Sequence, residues 1–338
     1  MRQTELRTHQ TGYCPAHNDR NCGNRNRGEG MILMLIHPIQ QFGSRHLLAI
    51  ASIGLWFVVS LSMAFPLRAD DLSDGNKSDG KTVASKSLTM VVMDPLAAPL
   101  GCDGVKGYAN RQYQRLGEVL ESRLNTKVKV YWSDSLITLQ EKEPTLVPDI
   151  VIGKYSVVES HGDQLHHKLR PFASLTDTEG TMTQRGLFVV RAESDFASVI
   201  ELEEAIVFFG PEDCAEKCSS PKALLDKLGV ETSRDSKTFQ SCSEAAKALL
   251  ALPKDSRAAA VISSYAAPLL EGCGTIKKGD LRVVGQTDEL PFVTTFVNEL
   301  LSKQQQTTVQ TTILAIDDAK LLKSLESSKG FQASVSGI

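Results

Sequence analysis

Two adjacent hydroxyl side chains, Ser219 and Ser220, lie between a predicted strand and a predicted helix and could hold an anion. The apolar run 205–209 is too short for a helix and is typical of a strand buried on both faces of a sheet. The amphipathic run 222–228 follows directly after Pro221, a residue that favours the first turn of a helix. Free backbone N–H groups and the positive end of the helix dipole favour oxyanions at such a position. The alternative is that one of the two serines only caps the helix.

Three cysteines, Cys214, Cys218 and Cys242, flank this strand and helix. If the chain is exported, as its N-terminal part indicates below, a disulfide can form between Cys242 and either Cys214 or Cys218. The sequence leaves the pairing open. Cys214 and Cys218 could also bind a metal together with a histidine, but no second paired motif supports such a site. We therefore predict neither a metal nor a cofactor, and keep cysteine-based metal or redox chemistry as an alternative.

The composition and the motifs argue against several function classes. The formal net charge is −3 and no basic stripe stands out, which argues against a nucleic-acid partner. The motifs CxxC, HExxH and GxSxG are absent. The stretch 75–82 matches the P-loop pattern, but no strand precedes it and its flanks are polar, so we interpret it as linker. Because no nucleophile with an assigned base can be named, we predict that the protein is not an enzyme.

The N-terminal part of the chain has the layout of a secretory signal. Residues 1–30 are polar and without periodicity, and the true start could lie at Met31. A basic pair precedes the apolar run 47–65, and the segment 31–69 ends at a small residue, Ala69. This order of charge, apolar core and small residue is typical of a cleaved signal peptide.

An uncleaved N-terminal anchor is the alternative for residues 45–69, because the apolar run is close to the length that spans a bilayer. In both cases the globular part is exported to the periplasm or to the outer face of the inner membrane. Residues 70–87 are rich in Asp, Ser, Gly and Lys and indicate a flexible linker.

Strands and helices alternate along the rest of the chain, which predicts an α/β class with a largely parallel sheet. Apolar or alternating runs predict strands at 87–93, 127–132, 149–153, 169–175, 186–191, 205–209, 258–262, 281–284 and 292–297. Helical spacing predicts helices at 110–124, 135–142, 157–162, 199–204, 222–228, 244–251, 266–270, 307–316 and 319–325. Cys242 and Ser243 are the predicted caps of the helix at 244–251.

Five segments of this α/β region form an ordered pattern. They are GLFVVR at 186–191, FFGPEDCAEKCSSPKALL at 208–225, AAAVISSYAAPLL at 258–270, LRVVGQTDELPFVTTFV at 281–297 and a late GF at 330–331. In this order they resemble the phosphonate/phosphate-type solute-binding proteins of ABC importers, the PhnD-like family. The resemblance covers about residues 88–331.

The resemblance implies a type II periplasmic-binding-protein fold. In this fold two α/β lobes are joined by two crossing strands, and the ligand lies in the cleft between the lobes. The first lobe would comprise residues 88–189 and 286–338, and the second lobe residues 190–285.

The resemblance also implies where a ligand would bind. The family's anion-holding hydroxyl pair falls on Ser219 and Ser220, the same pair that the strand and helix pattern indicates. Further candidates come from the first-lobe loops, from a strand end and from the segment before the crossing strand: Tyr108, Tyr155, Ser156, Ser263, Ser264, Tyr265, Thr183 and Gln184. Packing is the alternative role for the tyrosines, and helix capping for the serines at 263–264.

Two departures from the family pattern concern the ligand. Many members have an acidic residue, which binds a ligand amine, at the position of Ala258, so an aminophosphonate is not expected. The usual hydroxyl-rich phosphate turn is replaced by residues 218–221, and Glu212, Asp213 and Glu216 precede it. These carboxylates would repel phosphate or could hold a cation.

We therefore expect an exported, monomeric substrate-binding protein that captures a small phosphate- or phosphonate-like oxyanion. The two lobes would close on the ligand and present it to an inner-membrane ABC permease. Membrane contact is expected only through the N-terminal segment, and no nucleic acid is expected as a partner. A membrane-tethered sensing or accessory domain with the same fold is the alternative.

Overall fold

The computed structural model describes residues 87–101 and 109–334. The predicted signal or anchor and nearly all of the predicted linker lie outside the described residues, as do Cys102 and Tyr108. Among the described helices, none combines the length and the apolar character needed to cross a membrane.

The secondary structure alternates as the sequence predicts. The strands are β1 Leu88–Met93, β2 Val128–Trp132, β3 Ile150–Lys154, β4 Leu169–Leu175, β5 Thr183–Gln184, β6 Gly186–Arg191, β7 Ile206–Phe209, β8 Lys237–Thr238, β9 Ala258–Ser263, β10 Leu281–Gln286, β11 Leu290–Pro291, β12 Val293–Asn298 and β13 Phe331–Ala333. The helices are α1 Tyr113–Leu124, α2 Leu136–Lys142, α3 Tyr155–Gln164, α4 Ser219–Leu228, α5 Cys242–Ala251, α6 Ala266–Gly272, α7 Lys303–Leu314 and α8 Ala319–Ser324, with short 3₁₀ turns at Ala98–Leu100 and Val199–Leu202.

Two mixed sheets form the centres of two lobes. The first lobe has the strand order β13-β4-β12-β3-β1-β2, and the second has the order β10-β6-β9-β7-β8. Because β6 already belongs to the second sheet from Gly186, that sheet begins four residues before the predicted start of the second lobe at residue 190. The exact lobe boundaries stay a prediction.

The prediction of a largely parallel sheet is wrong. Strand β1 runs parallel to β2 and β3, and β7 runs parallel to β8 and β9. Strands β6 and β12, however, pair antiparallel with their neighbours in both directions. Each of them follows a crossing between the lobes and enters its sheet at the cleft, where β3 and β9 end, so it must run the opposite way.

The lobes are joined by a small two-stranded sheet. Strands β5 and β11 cross side by side and antiparallel, with Gln184 opposite Leu290 and Thr183 opposite Pro291. Arg185 and Glu289 form an ion pair beside them. This pair of strands confirms the two-lobe architecture with two crossing strands.

Helices cover both faces of each sheet. In β1 the alternate residues Met90 and Val92 pack toward α1, α7 and α8, whereas Val91 and Met93 pack toward α2 and α3. In the second lobe, α4 packs on one face of the sheet and α5 and α6 pack on the other. Strands buried on both faces read as continuous apolar runs, which is why the sequence predicts them well.

The N-terminal caps of α4 and α5 differ from the predicted ones. Ser241, not Cys242 or Ser243, is the N-cap of α5, and it forms a capping box with Glu244. The first turn of α4 contains Ser219 and Ser220, and the N-cap position is taken by Cys218 without a side-chain cap bond. Neither Ser219 nor Ser220 is therefore a cap.

A close backbone approach links β6 to the segment that contains Glu216. We call residues 210–218 the 210–218 loop; it is closed by the N–H of Gly210, which donates to the carbonyl oxygen of Lys217 at 2.9 Å. A Cβ atom at Gly186 would lie 1.9 Å from the carbonyl oxygen of Glu216. Only glycine fits at this contact, which holds the loop against the start of β6.

The substitution Gly186→Ala should lower the free energy of unfolding by about 2–3 kcal/mol, because the added methyl group must push the 210–218 loop away. Chemical denaturation followed by circular dichroism measures the change. Gly162→Ala is the control. A Cβ atom at Gly162 would lie 3.3 Å from its nearest neighbour, a side-chain atom of Leu169, and Gly162 lies in helix α3, where alanine is favoured over glycine. Equal stability of the two variants would contradict the close approach at Gly186.

Candidate functional site

A buried ion pair across the lobes is the centre of the candidate site. Lys154, the last residue of β3 in the first lobe, pairs with Glu216 of the second lobe. The lysine side chain is 7% exposed and that of Glu216 is fully buried. The hydroxyl of Ser263 donates a second hydrogen bond to the same carboxylate oxygen of Glu216, at 2.6 Å. An ammonium from one lobe and a hydroxyl from the other therefore hold one carboxylate.

The fold explains why these groups meet. Lys154 and Ser263 are the last residues of β3 and β9, and each strand is buried along its whole length. In α/β sheets the carboxyl ends of the strands face the binding crevice. The 210–218 loop follows β7, whose carboxyl end lies on the same side because β7 is parallel to β9.

Aromatic rings and a thiol surround the Lys154 ammonium. Its Nζ atom lies 5.9 Å from the centroid of the Tyr265 ring, which stacks on Phe292 of the first lobe at 4.6 Å. Nζ also donates to the Sγ atom of Cys214 at 3.4 Å. A cation over an aromatic face is stabilised by the ring quadrupole, and more so where water is excluded.

Further hydrogen bonds tie the 210–218 loop to the first lobe. The Ser156 hydroxyl donates to the carbonyl oxygen of Asp213 at 2.9 Å and accepts from the N–H of Ala215 at 3.1 Å. Nε2 of His161 lies 2.9 Å from the Asp213 carboxylate, while Nδ1 accepts from the backbone N–H of Leu136. Since Nδ1 accepts, the ring proton lies on Nε2 and is donated to Asp213.

The ionisation of the pair follows from burial and charge. Burial alone raises the pKa of Glu216, but the charges of Lys154 and Lys217 and the hydrogen bonds from Lys154 and Ser263 lower it, with the net pKa below its ordinary value. Burial alone lowers the pKa of Lys154, and the Glu216 carboxylate overrides this and raises it well above its ordinary value. Both groups are therefore charged at neutral pH.

Three of the residues predicted from the sequence come together here. Ser263 bonds to Glu216, Tyr265 lies against Lys154, and Ser156 holds the 210–218 loop. Ser219 is exposed and Ser220 half-buried, and the Ser220 N–H already donates to the carbonyl oxygen of Ala215 at 2.9 Å. The predicted anion-holding pair therefore lies outside the cluster around Lys154.

The other predicted residues have separate contacts. Tyr155 packs on Phe296 and donates to Glu159 at 2.9 Å. The hydroxyl of Ser264 accepts from the N–H of Arg185. Thr183 and Gln184 form crossing strand β5, where the Thr183 hydroxyl donates to Glu289 and the buried Gln184 side-chain oxygen has no hydrogen-bond partner among the described residues.

The cysteines at 214, 218 and 242 are free thiols, so the disulfide that the sequence allows between Cys242 and Cys214 or Cys218 is not formed. Cys214 packs into an apolar cluster of the first lobe, whereas Cys242 packs into one of the second lobe beside Ser263. Burial raises the pKa of the Cys214 thiol despite the nearby Lys154. Within the described residues there is also no cluster of three or more histidine, cysteine or acidic side chains suited to a metal ion.

Lys154 is not among the candidate residues predicted from the sequence, although a signal was present. The lysine ends a buried apolar strand, at the position where α/β sheets present ligand-binding side chains. The acidic 210–218 loop was expected to repel phosphate or to hold a cation, and the cation at Glu216 is Lys154 itself. Their separation by 62 positions along the chain hides this pairing from any local pattern.

Comparisons with known proteins agree with this architecture. Residues 108–335 match the family model described as ABC transporter, phosphonate, periplasmic substrate-binding protein. The chain belongs to this family, whose members are periplasmic substrate-binding components of transporters rather than enzymes. No curated protein sequence matched the chain.

Solved structures share the two-lobe fold at low sequence identity. The protein XAC2383 of Xanthomonas citri, solved with ATP, is 15% identical with a TM-score of 0.56, over 73% of this chain and 90% of that one. A binding protein of an ABC phosphonate transporter from Pseudomonas aeruginosa is 15% identical with a TM-score of 0.54, and the match covers 74% of this chain and 82% of that one. PhnD1 of Prochlorococcus marinus, solved with methylphosphonate, is 16% identical with a TM-score of 0.53, and the match covers 75% of this chain and 94% of that one.

Removal of either partner of the central pair should be strongly destabilising. Lys154→Met and Glu216→Gln should each lower the free energy of unfolding by about 3–5 kcal/mol, because each leaves an unpaired buried charge. The double variant should lose less than the sum, and a double-mutant cycle from denaturant unfolding measures the coupling. The surface pair Lys127 and Glu121 is the control cycle and should show a coupling well below that of the buried pair. Additive losses at the buried pair would contradict a direct interaction.

The central pair should also make stability depend on pH in the acid range. The folded pKa of Glu216 lies below its ordinary value of 4.5, so its contribution is present above about pH 4.5 and is lost as the pH falls through the folded pKa. Wild-type protein should therefore lose its stability advantage over Glu216→Gln on acidification below about pH 4.5, measured by thermal unfolding across pH. Glu118→Gln, on the exposed face of α1, should follow the wild-type curve. Parallel curves for wild type and Glu216→Gln would contradict the lowered pKa.

Proposed function

We propose that this protein is an exported substrate-binding protein that captures a small phosphate- or phosphonate-like oxyanion between its two lobes. It then presents the ligand to an inner-membrane ABC permease and performs no catalysis. Binding proteins of this architecture work by population shift, because a ligand that contacts both lobes stabilises their closed arrangement.

One observation carries the proposal: the interface between the lobes already holds an oxyanion. The Glu216 carboxylate is bound by the Lys154 ammonium from the first lobe and by the Ser263 hydroxyl from the second. A solute oxyanion placed there would use the same two donors and would bridge the lobes in the same way. Charge-assisted bonds to a buried ammonium are about twice as strong as neutral ones.

The family supports the choice of ligand chemistry. The matching family model is one of phosphonate transport, and one structural neighbour was solved with methylphosphonate. Another neighbour was solved with ATP, which also presents phosphate oxygens. Folds host many functions, so the argument for this chain rests on Lys154 and Ser263 rather than on the neighbours.

A sensing or accessory domain with the same fold is a second candidate, and one observation favours it. The lobes are joined by the chain's own ion pair between Lys154 and Glu216, so closure does not require a solute. A domain that remains closed in this way could contact a partner protein in one fixed shape. In that case no small anion should bind to the cleft.

Binding of an oxyanion should raise the thermal midpoint of the purified protein. A test panel comprises phosphate, methylphosphonate, sulfate, an alkanesulfonate and ATP, because a ligand of the folded state adds about 2.7 kcal/mol at a hundredfold excess over its Kd. We expect a shift with phosphate or methylphosphonate and its loss in Lys154→Met. Differential scanning fluorimetry and isothermal titration calorimetry measure both effects.

The matched control is Lys142→Met, which removes an exposed lysine of the same lobe at the end of α2. It should retain the full shift, which separates a specific site from general attraction of anions. If no anion in the panel shifts the wild-type midpoint, transport of an oxyanion is the wrong function and the accessory role gains support. If Lys154→Met retains the shift, the site lies elsewhere.

A further inference from the structure

Glu216 occupies the position between the lobes where an anionic solute would bind. The residue is fully buried, and one of its carboxylate oxygens receives both bonds, from Lys154 and from Ser263. The other oxygen, Oε2, is buried without a hydrogen-bond partner among the described residues. A buried carboxylate oxygen without a donor is costly, so this carboxylate is held less firmly than a fully bonded one.

The donors around Glu216 are those of an anion site rather than of a purely structural ion pair. Lys154 lies at the end of β3 and Ser263 at the end of β9, which are strand ends of opposite lobes that meet at the crevice. The charge of Lys217, which is also buried, acts on the same carboxylate and lowers its pKa. An ammonium that is buried to this extent requires an anionic partner, whether that partner is a side chain or a solute.

We infer that Glu216 is a tethered competitor for the solute: its carboxylate occupies the anion position between Lys154 and Ser263 and thereby determines which anions the cleft accepts. This inference rests on the function proposed above and specifies how that site selects its ligand. The chain itself closes the lobes in the absence of solute, and a solute binds by displacing Glu216.

Because Glu216 is tethered, a free anion must bind Lys154 and Ser263 more tightly than an untethered carboxylate would in order to displace it. A side chain fixed in a nearby loop acts at a high effective concentration, which a free anion has to overcome. Chloride and acetate have the same single charge as Glu216 but are not tethered, so they do not displace its carboxylate. A tetrahedral dianion such as phosphate or methylphosphonate has a second charge and additional oxygen atoms, so it can displace Glu216. The selected class is therefore the tetrahedral dianion.

Displacement of Glu216 must also move the 210–218 loop. That loop is bound to the first lobe through Ser156, which contacts Asp213 and Ala215, and through His161, which contacts Asp213. Exit of the Glu216 side chain and separation of the lobes therefore break the same set of contacts. The wild-type protein should stay closed without solute and should open only while a competent anion replaces Glu216 between the lobes.

The test compares wild type with Glu216→Gln, with Glu212→Gln as a matched control from the exposed part of the same loop. Small-angle X-ray scattering of ligand-free protein measures the separation of the lobes, and titration calorimetry with methylphosphonate, phosphate and acetate measures affinity. We expect Glu216→Gln to be more open and to bind methylphosphonate at least about tenfold more tightly, since a competing closed state lowers apparent affinity by the fraction that is competent. Glu212→Gln should behave as wild type.

The outcomes separate this inference from the proposed function. If Glu216→Gln has the wild-type scattering profile and the wild-type affinity for methylphosphonate, Glu216 is no competitor, and the proposed function stands. If no anion binds to any folded variant, the proposed function fails and the competitor role fails with it. Asp213→Ala removes the contact with His161 and keeps both Ser156 bonds, which go to backbone atoms of the loop. It should show a smaller change in the same direction, and it replaces Glu216→Gln if that variant does not fold.

Discussion

The ion pair between Lys154 and Glu216 is the interaction on which the arrangement of the two lobes depends. A buried ammonium without a counter-charge costs several kcal/mol of folding free energy, so the folded protein requires an anion beside Lys154. The pair joins the end of β3 to the loop after β7, which places one partner in each lobe. The contact between the lobes at this point therefore depends on the Glu216 carboxylate.

The surrounding structure holds this position in place. Gly186 permits the backbone of Glu216 to approach β6, Ser156 holds the 210–218 loop to the first lobe, and Tyr265 stacks across the interface on Phe292. Each contact comes from a strand end or from the segment that follows one. A two-lobe α/β fold with crossing strands brings these ends together, which explains why a ligand-binding family uses this architecture.

Much of the architecture could be predicted from the sequence. Strands β1, β3, β7 and β9 are buried on both faces, and such strands appear as short apolar runs that no helix of normal length would produce.

The residue that caps each helix is harder to predict from the sequence, because several neighbouring hydroxyl side chains could take the N-cap position. Ser241 is the cap of α5 because Glu244 completes a reciprocal bond with it, and neighbouring Ser243 has no such partner. Strand direction in the mixed sheets depends on where the chain crosses between lobes, which local patterns do not encode.

The sequence by itself determined the alternation of strands and helices, the family resemblance and the strand ends at which candidate residues lie. Ser263, Tyr265 and Ser156 lie at or just after the ends of buried strands, and their role in ligand binding stays a prediction. Only the tertiary structure decided that the acidic 210–218 loop folds back onto Lys154, so that a carboxylate expected to repel phosphate or to hold a cation pairs with this lysine. The physical reason is that charge pairing in a buried interface depends on distances between residues far apart in the chain, and composition or periodicity carries no information about those distances.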